Sequence, residues 1–173
     1  MRRTLKGEEL GAWVRQRVPE SWFTDLEVSA DHEEILVVGT LEEPERGKGE
    51  GESLHAAACE TTIVTFRETT RDARIAIARE AERMLGRTLS WGAACGPVRA
   101  LFTSNTVPVM TRLRLPERRV LDTLVDAGVA RSRSHALAWC VRRVGEREAE
   151  WLDELREAFS HVEAVRHAGP DLA

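Results

Sequence analysis

The chain has 173 residues, of which 42% are hydrophobic and 31% charged, and this composition predicts a globular protein of one or two domains. No apolar run approaches the roughly 18 residues that span a bilayer, and the first residues lack the apolar segment of a signal peptide. Three widely spaced cysteines form no disulfide framework. These features exclude membrane-spanning and disulfide-stabilised secreted proteins, and they predict a cytoplasmic protein without a membrane partner.

The charges are segregated along the chain, so the net charge of −4 conceals a local excess. Residues 1–60 carry a balance of −7 and residues 144–173 a balance of −5, whereas residues 61–105 carry +3 and residues 106–143 carry +5. A basic middle between acidic ends indicates a local surface for nucleic acid.

The sequence pattern of residues 1–105 predicts a small α+β unit. Its first elements are a helix over 4–18 that Pro19 stops, and an antiparallel hairpin of strands over 25–29 and 35–41. Residues 42–53 contain no large apolar side chain and predict a flexible linker or loop.

The second half of this unit contains one long predicted helix and two short strands. The helix covers residues 54–85 and ends at Gly86, although the Thr61-Thr62 and Thr69-Thr70 pairs weaken it, because β-branched residues form helices poorly. Strands over 88–91 and 99–103 would then return to the hairpin.

Residues 109–144 carry the strongest pattern. Residues 109–115 alternate, with Leu113 and Leu115 on one face and the basic residues on the other, as in a strand. Pro116 then suits the first turn of a helix, and Gly128 suits its end. Ser132 is a good N-cap for a second helix, which either continues towards the chain end as one long helix or breaks at Gly145.

A single strand followed by two helices leaves both strand edges unpaired and its apolar face uncovered. Pairing with the same strand of a second copy satisfies one edge and buries both apolar faces over four helices. The sequence therefore predicts a homodimer whose two-stranded ribbon presents Arg112 and Arg114 twice. Such a ribbon fits the major groove of double-stranded DNA, where arginine can bond to guanine.

This segment resembles the ribbon-helix-helix superfamily of Arc-, MetJ- and CopG-like DNA-binding proteins. The resemblance covers about 36 residues and depends on Arg-Leu-Arg-Leu-Pro-Glu at 112–117, the short helix before Gly128, and Arg-Ser-Arg-Ser-His-Ala-Leu at 131–137. It implies that the ribbon side chains Met110, Arg112 and Arg114 contact base edges. It also implies that Ser132, Arg133, Ser134 and His135 contact a phosphate, and a helix N-terminus is physically an anion site. Where many members have Glu three residues after the cap, this chain has His135.

A second basic group comprises Arg67, Arg71 and Arg74, which follow one another at i, i+4 and i+7 on the predicted middle helix. We expect these residues either to grip phosphates that flank the site or to form a solvated surface paired with acidic neighbours.

His55 and Cys59 lie one helical turn apart, and Cys95 could add a third metal ligand. No clustered fourth ligand follows, so the sequence predicts neither a metal site nor a cofactor. No motif of a hydrolase, nucleotide-binding loop or metalloprotease is present, and the chain is predicted not to be an enzyme.

The expected fold is thus α+β: a small α+β unit over 1–105, then a dimeric ribbon-helix-helix unit with a long C-terminal helix over 106–173. The expected function is sequence-specific DNA binding by a homodimeric transcriptional regulator, such as a repressor. The N-terminal unit would bind a ligand or a protein partner, or enlarge the DNA footprint, and the sequence leaves these open. Two alternatives remain: an antitoxin that neutralises a partner protein, and a small α+β enzyme with an incidental amphipathic strand.

Overall fold

The computed structural model describes residues 7–47, 51–103 and 105–169, and within these ranges the chain is α+β, with six helices and a four-stranded sheet. It divides into two compact units, Met1–Pro108 and Val109–Ala173. Among the described residues, no helix combines the length and the apolar character needed to cross a membrane.

In its described residues, the N-terminal unit contains three helices and the four-stranded sheet. Its elements in chain order are α1 (Gly7–Arg15), β1 (Asp25–Ala30), β2 (Glu34–Thr40), α2 (Glu52–Thr69), α3 (Arg71–Leu85), β3 (Thr88–Cys95) and β4 (Val98–Leu101). The spatial order of the strands is β1-β2-β3-β4, in which β2 and β3 are parallel and the outer pairs antiparallel. A parallel pair needs a crossover connection, and α2 with α3 supplies it.

Alternate residues of the strands form the core beneath the helices. In β2 and β3, Val37 pairs with Trp91, and both are buried with residues of α1 and α3. Further along β3, Ala93 and Cys95 are buried with Cys59 and Ile63 of α2. Residues two apart share one face of a strand, so β3 contributes to both clusters along a single face.

The predicted hairpin is confirmed, with β1 and β2 each within one residue of the expected bounds. The first helix is described only from Gly7 and ends at Arg15, three residues before the predicted end. The part of the prediction over residues 4–6 lies outside the described residues. At the predicted linker, α2 already begins at Glu52.

The prediction of one helix over 54–85 is wrong, because the chain breaks at Thr70 into α2 and α3. The hydroxyl of Thr69 donates to the carbonyl of Thr65 at 2.8 Å, and that of Thr70 donates to the carbonyl of Phe66 at 2.6 Å. Thr70 itself has φ −98° and ψ 3°, outside the helical minimum. Consecutive threonine hydroxyls thus compete with the backbone for the carbonyls at the point where the helix turns.

The described part of the C-terminal unit has three helices: α4 (Leu115–Asp126), α5 (Arg133–Arg147) and α6 (Ala149–Ala168). The strand predicted over 109–115 is not formed within this single chain, because no described residue pairs with it, and Leu115 already begins α4. Gly128 follows α4 in the left-handed conformation (φ 74°), as expected for the end of a helix. Of the two alternatives for the rest of the chain, one long helix is wrong and two separate helices are present. The break lies at Glu148, however, and Gly145 remains inside α5.

Candidate nucleic-acid interface

The segment before α4 separates basic from apolar side chains. Arg112 and Arg114 are exposed, whereas Leu113 between them is half-buried and packs against the small core of the C-terminal unit, which consists of buried Leu121, Ala130 and Ala136. Met110 is 99% exposed. The residues expected to contact bases therefore face solvent, and one residue of the opposite face packs inwards.

Arg118 fixes this segment to the first turn of α4. Its Nη1 donates a hydrogen bond to the carbonyl oxygen of Leu113 at 3.2 Å. Arg114, the residue before α4, has φ −81° and ψ 175°, so the backbone is extended where it enters the helix. Together, the hydrogen bond and the packing of Leu113 hold this part of the segment against the unit.

The predicted cap of the second helix is present. Ser132 has extended dihedrals, and its hydroxyl accepts a hydrogen bond from the backbone N–H of His135 at 3.2 Å. The Nδ1 atom of His135 in turn accepts from the backbone N–H of Arg131 at 3.3 Å. His135 thus reaches back across the cap, much as the Glu of a capping box does. Ser134 is exposed in the first turn of α5.

Arg133 is engaged within the unit by a bidentate ion pair that the sequence did not indicate. Its Nε lies 2.6 Å from Oδ1 of Asp122 and its Nη2 lies 2.8 Å from Oδ2. The hydrogen bond from Arg133, followed by its charge and that of Arg118, lowers the pKa of Asp122. The fork of Arg133 therefore joins α5 to α4, and a phosphate at the α5 N-terminus would compete with Asp122 for it.

The C-terminal unit leaves much apolar surface uncovered. Its described core has three buried side chains, whereas the first core cluster of the N-terminal unit has eleven. Large hydrophobic residues of its described part are exposed throughout: Val109, Met110, Leu115, Val120, Val129, Val141, Val144, Trp151, Phe159, Val162 and Val165. Three buried side chains make a small core for a unit of this size.

The three arginines of the second basic group do not share one helix. Arg67 belongs to α2, Arg71 and Arg74 belong to α3, and all three line a cavity of about 660 Å³ together with Phe102. Arg67 and Arg71 are exposed, but Arg74 is only 7% exposed.

Arg74 closes the break between α2 and α3. Its Nε donates to the hydroxyl of Thr70 at 3.0 Å, and its Nη2 donates to the carbonyl of Arg67 at 2.6 Å. Its guanidinium lies 4.7 Å from the centre of the Phe102 ring. Burial, then the charges of Arg67 and Arg71, lower the pKa of Arg74. Arg74 is thus a structural residue of the helix junction.

The structure brings His55 and Cys59 together with a group that the sequence analysis missed. Glu43, in the segment after β2, offers a carboxylate oxygen 3.0 Å from Nε2 of His55. Cys95 is buried beside Cys59. Burial, then the hydrogen bond and charge of Cys59 and the charge of Glu43, raise the pKa of Cys95 to about 12. Glu43 carried no signal in the sequence, because it lies in a polar run among other glutamates.

Two family models match the chain. The model described as "Rv1265-like protein, N-terminal domain" matches residues 8–101, and that described as "Mb1296 C-terminal domain" matches residues 114–166.

Two curated relatives have the same sequence identity to this chain. Uncharacterized proteins Mb1296 of Mycobacterium bovis and Rv1265 of Mycobacterium tuberculosis are each 53% identical over 161 residues, which are 92% of this chain and 70% of the relative. No solved structure matches the chain. The family models and these relatives together show that the chain belongs to the family of Rv1265-like proteins.

Proposed function

We propose that this protein is a homodimeric, sequence-specific DNA-binding regulator that reads the major groove with residues 109–114. In the dimer, this segment of one copy pairs with that of the other as an antiparallel ribbon. The ribbon carries Met110, Arg112 and Arg114 towards the bases, and the start of α5 contacts the backbone.

One observation carries the proposal: Leu113 packs on the unit's small core while Arg112 and Arg114 on either side of it are exposed. Such alternation is what a ribbon needs to bury one face over helices and present the other. The same segment precedes α4 directly and has no strand partner among the described residues. A second copy could therefore pair with its backbone, where the Leu113 carbonyl already accepts a hydrogen bond from Arg118.

The uncovered apolar side chains support the dimer. Val109 begins the ribbon segment and Leu115 follows it, and they are 83% and 61% exposed. In a homodimer the two copies contribute the same surface, so the exposed apolar side chains of one copy would pack against those of the other. Burial of these groups would supply the core that the single unit lacks.

The basic side chains support recognition of DNA. Two arginines from each copy would place four guanidinium forks on one ribbon face, and each good pair with guanine is worth about 1–3 kcal/mol of discrimination. The capped N-terminus of α5 offers free backbone N–H groups to a phosphate, which fixes the position of the ribbon without reading sequence.

The test is enrichment of bound fragments from a random double-stranded DNA library, with light scattering on the same preparation. We expect a mass of two chains and enriched sites with inverted repeats that contain guanine at matched positions. Recovery of fragments without a shared sequence would refute sequence-specific readout. A mass of one chain at micromolar concentration would refute the ribbon, since one copy cannot form it.

A further inference from the structure

Glu43, His55 and Cys59 form a mixed cluster of oxygen, nitrogen and sulfur in the N-terminal unit. His55 and Cys59 are one turn apart on α2, and Glu43 follows β2. The Nε2 atom of His55 lies 3.0 Å from Oε2 of Glu43 and 3.8 Å from Sγ of Cys59. One ligand-capable atom from each residue lies within 4.8 Å of the others. Two segments of the chain, the stretch after β2 and helix α2, thus meet at one point.

Two residues of the cluster are buried in the protein, and the third is open to solvent. His55 and Cys59 are 1% and 0% exposed, whereas the side chain of Glu43 is 54% exposed. A small ion can therefore reach the buried atoms past Glu43, while the two α2 side chains are held in place by the core.

Gly96 makes room for the cluster at the turn between β3 and β4. It has φ 51°, and a Cβ built there would lie 3.1 Å from Oε2 of Glu43 and 3.2 Å from Sγ of Cys59. Glycine satisfies both needs, since it adopts positive φ without strain and leaves the sulfur and carboxylate unobstructed. The neighbouring Cys95 is buried beside Cys59 in the hydrophobic core of the unit.

The spacing of the three atoms fits a tetrahedral zinc site. With ordinary zinc–ligand distances, a nitrogen and an oxygen on one ion lie about 3.4 Å apart, and a nitrogen and a sulfur about 3.6 Å. The observed distances of 3.0 Å and 3.8 Å differ from these by a few tenths of an ångström. Borderline-soft cations such as Zn²⁺ bind thiolate and imidazole, whereas magnesium and calcium prefer oxygen ligands.

We propose that Glu43, His55 and Cys59 bind one Zn²⁺-like divalent cation through these three side chains. Binding would displace the thiol proton of Cys59 to solvent and join the segment after β2 to α2. The ion would thereby stabilise the N-terminal unit. This inference does not depend on the proposed DNA-binding function.

Cobalt titration of the full chain tests the proposal, because Co²⁺ reports its own ligands by absorption. The protein is purified under reducing conditions, stripped with a chelator, dialysed and titrated with Co²⁺. We expect saturation at one ion per chain, with a thiolate-to-cobalt charge-transfer band and the intense visible bands of four-coordinate cobalt. Added Zn²⁺ should abolish both. A folded protein that shows no thiolate-to-cobalt band would overturn the proposal, because a hydrogen-bonded cluster without a cation-binding role gives none.

Three variants locate the site. Cys59→Ser should lose the charge-transfer band, whereas Cys140→Ser, which removes the cysteine of the C-terminal unit, should retain it. Glu43→Gln alters an exposed side chain and keeps the fold even if Cys59→Ser does not. Loss of a residue that hydrogen-bonds to a metal ligand lowers metal affinity by roughly 10-fold or more. Loss of a direct ligand should therefore lower the Co²⁺ affinity by at least that factor. Unchanged Co²⁺ affinity in folded Glu43→Gln would overturn the assignment of the cluster.

Discussion

Arg133 at the first position of α5 binds Asp122 of α4 through both carboxylate oxygens, with Nε 2.6 Å from Oδ1 and Nη2 2.8 Å from Oδ2. The pair joins the two helices of the proposed DNA-binding unit through a residue that the family resemblance assigns to phosphate contact. Its fork cannot serve the carboxylate and a phosphate fully at once.

Replacement of Asp122 by Asn should therefore strengthen binding to every DNA sequence alike. The neutral side chain frees Arg133, and each added phosphate contact should steepen the slope of log affinity against log salt by about 0.9. The measurement is binding by fluorescence anisotropy at several salt concentrations. Asp126→Asn is the matched control, because it removes the same charge one turn later in α4 without releasing Arg133. An equal gain in both variants would mean that net charge alone is responsible.

Replacement of Leu113 by Asp should dissociate the proposed homodimer. Leu113 packs on the core of Leu121, Ala130 and Ala136, and a carboxylate placed there would be desolvated. Light scattering should give a mass of one chain at concentrations where the unmodified protein gives two. Met110→Asp, at a position that is 99% exposed, should leave the mass at two chains. A dimer that persists in Leu113→Asp would contradict the ribbon.

Replacement of Arg112 or Arg114 by Ala should relax the preference for guanine at the matched positions of the DNA site. Loss of one bidentate contact per copy removes about 1–3 kcal/mol of discrimination at its base pair, while affinity for unrelated DNA falls much less. Competition with single-base variants of the enriched site measures this.

Arg119→Ala is the appropriate control for charge, since Arg119 is an exposed residue of α4 outside the segment. Arg118 is unsuitable, because it holds the carbonyl of Leu113. If Arg119→Ala removed as much base preference as Arg112→Ala, direct readout by the ribbon would be the wrong mechanism.

The second basic group should separate into structural and binding residues. Arg74→Gln should lower the free energy of unfolding by roughly 1–3 kcal/mol, because the part-buried acceptors at Thr70 and Arg67 lose their donors. Arg67→Gln with Arg71→Gln should leave stability nearly unchanged and reduce the salt dependence of DNA binding if these exposed residues contact phosphates. Urea denaturation and salt-dependent anisotropy measure the two effects. An unaltered salt slope in the double variant would remove Arg67 and Arg71 from the DNA contact.

Two glycines should respond oppositely to alanine. A Cβ at Gly92 in β3 would lie 2.8 Å from Cδ2 of Leu101 and 2.9 Å from the backbone oxygen of Ala100, so Gly92→Ala should destabilise by about 1–3 kcal/mol. Gly145 in α5 has nothing within 4 Å of such a Cβ, and Gly145→Ala should stabilise by roughly 0.5–1 kcal/mol. Thermal and urea unfolding check both. A stable Gly92→Ala protein would mean that β4 can move away from β3.

Local pattern was sufficient for several elements. The alternation in β1 and β2 and the polar turn between them predicted the hairpin, and Ser132 and Gly128 predicted a helix start and a helix end. These features depend on neighbouring residues, so the sequence displays them directly. The threonine pairs marked the middle helix as weak, but the position of its break depends on hydroxyl bonds to Thr65 and Phe66 and on Arg74, which a propensity does not resolve.

The sequence by itself determined the α+β class, the hairpin, the capped helix and the alternation of basic and apolar residues around Leu113. Only the tertiary structure decided that Arg133 binds Asp122, that Arg74 is buried against Phe102, and that Glu43 meets His55 and Cys59. Those contacts join residues whose separation along the chain carries no periodic signal. They form because packing of helices on the sheet, or of α5 on α4, brings the side chains within reach, and burial then selects the partners that satisfy their charges and hydrogen bonds.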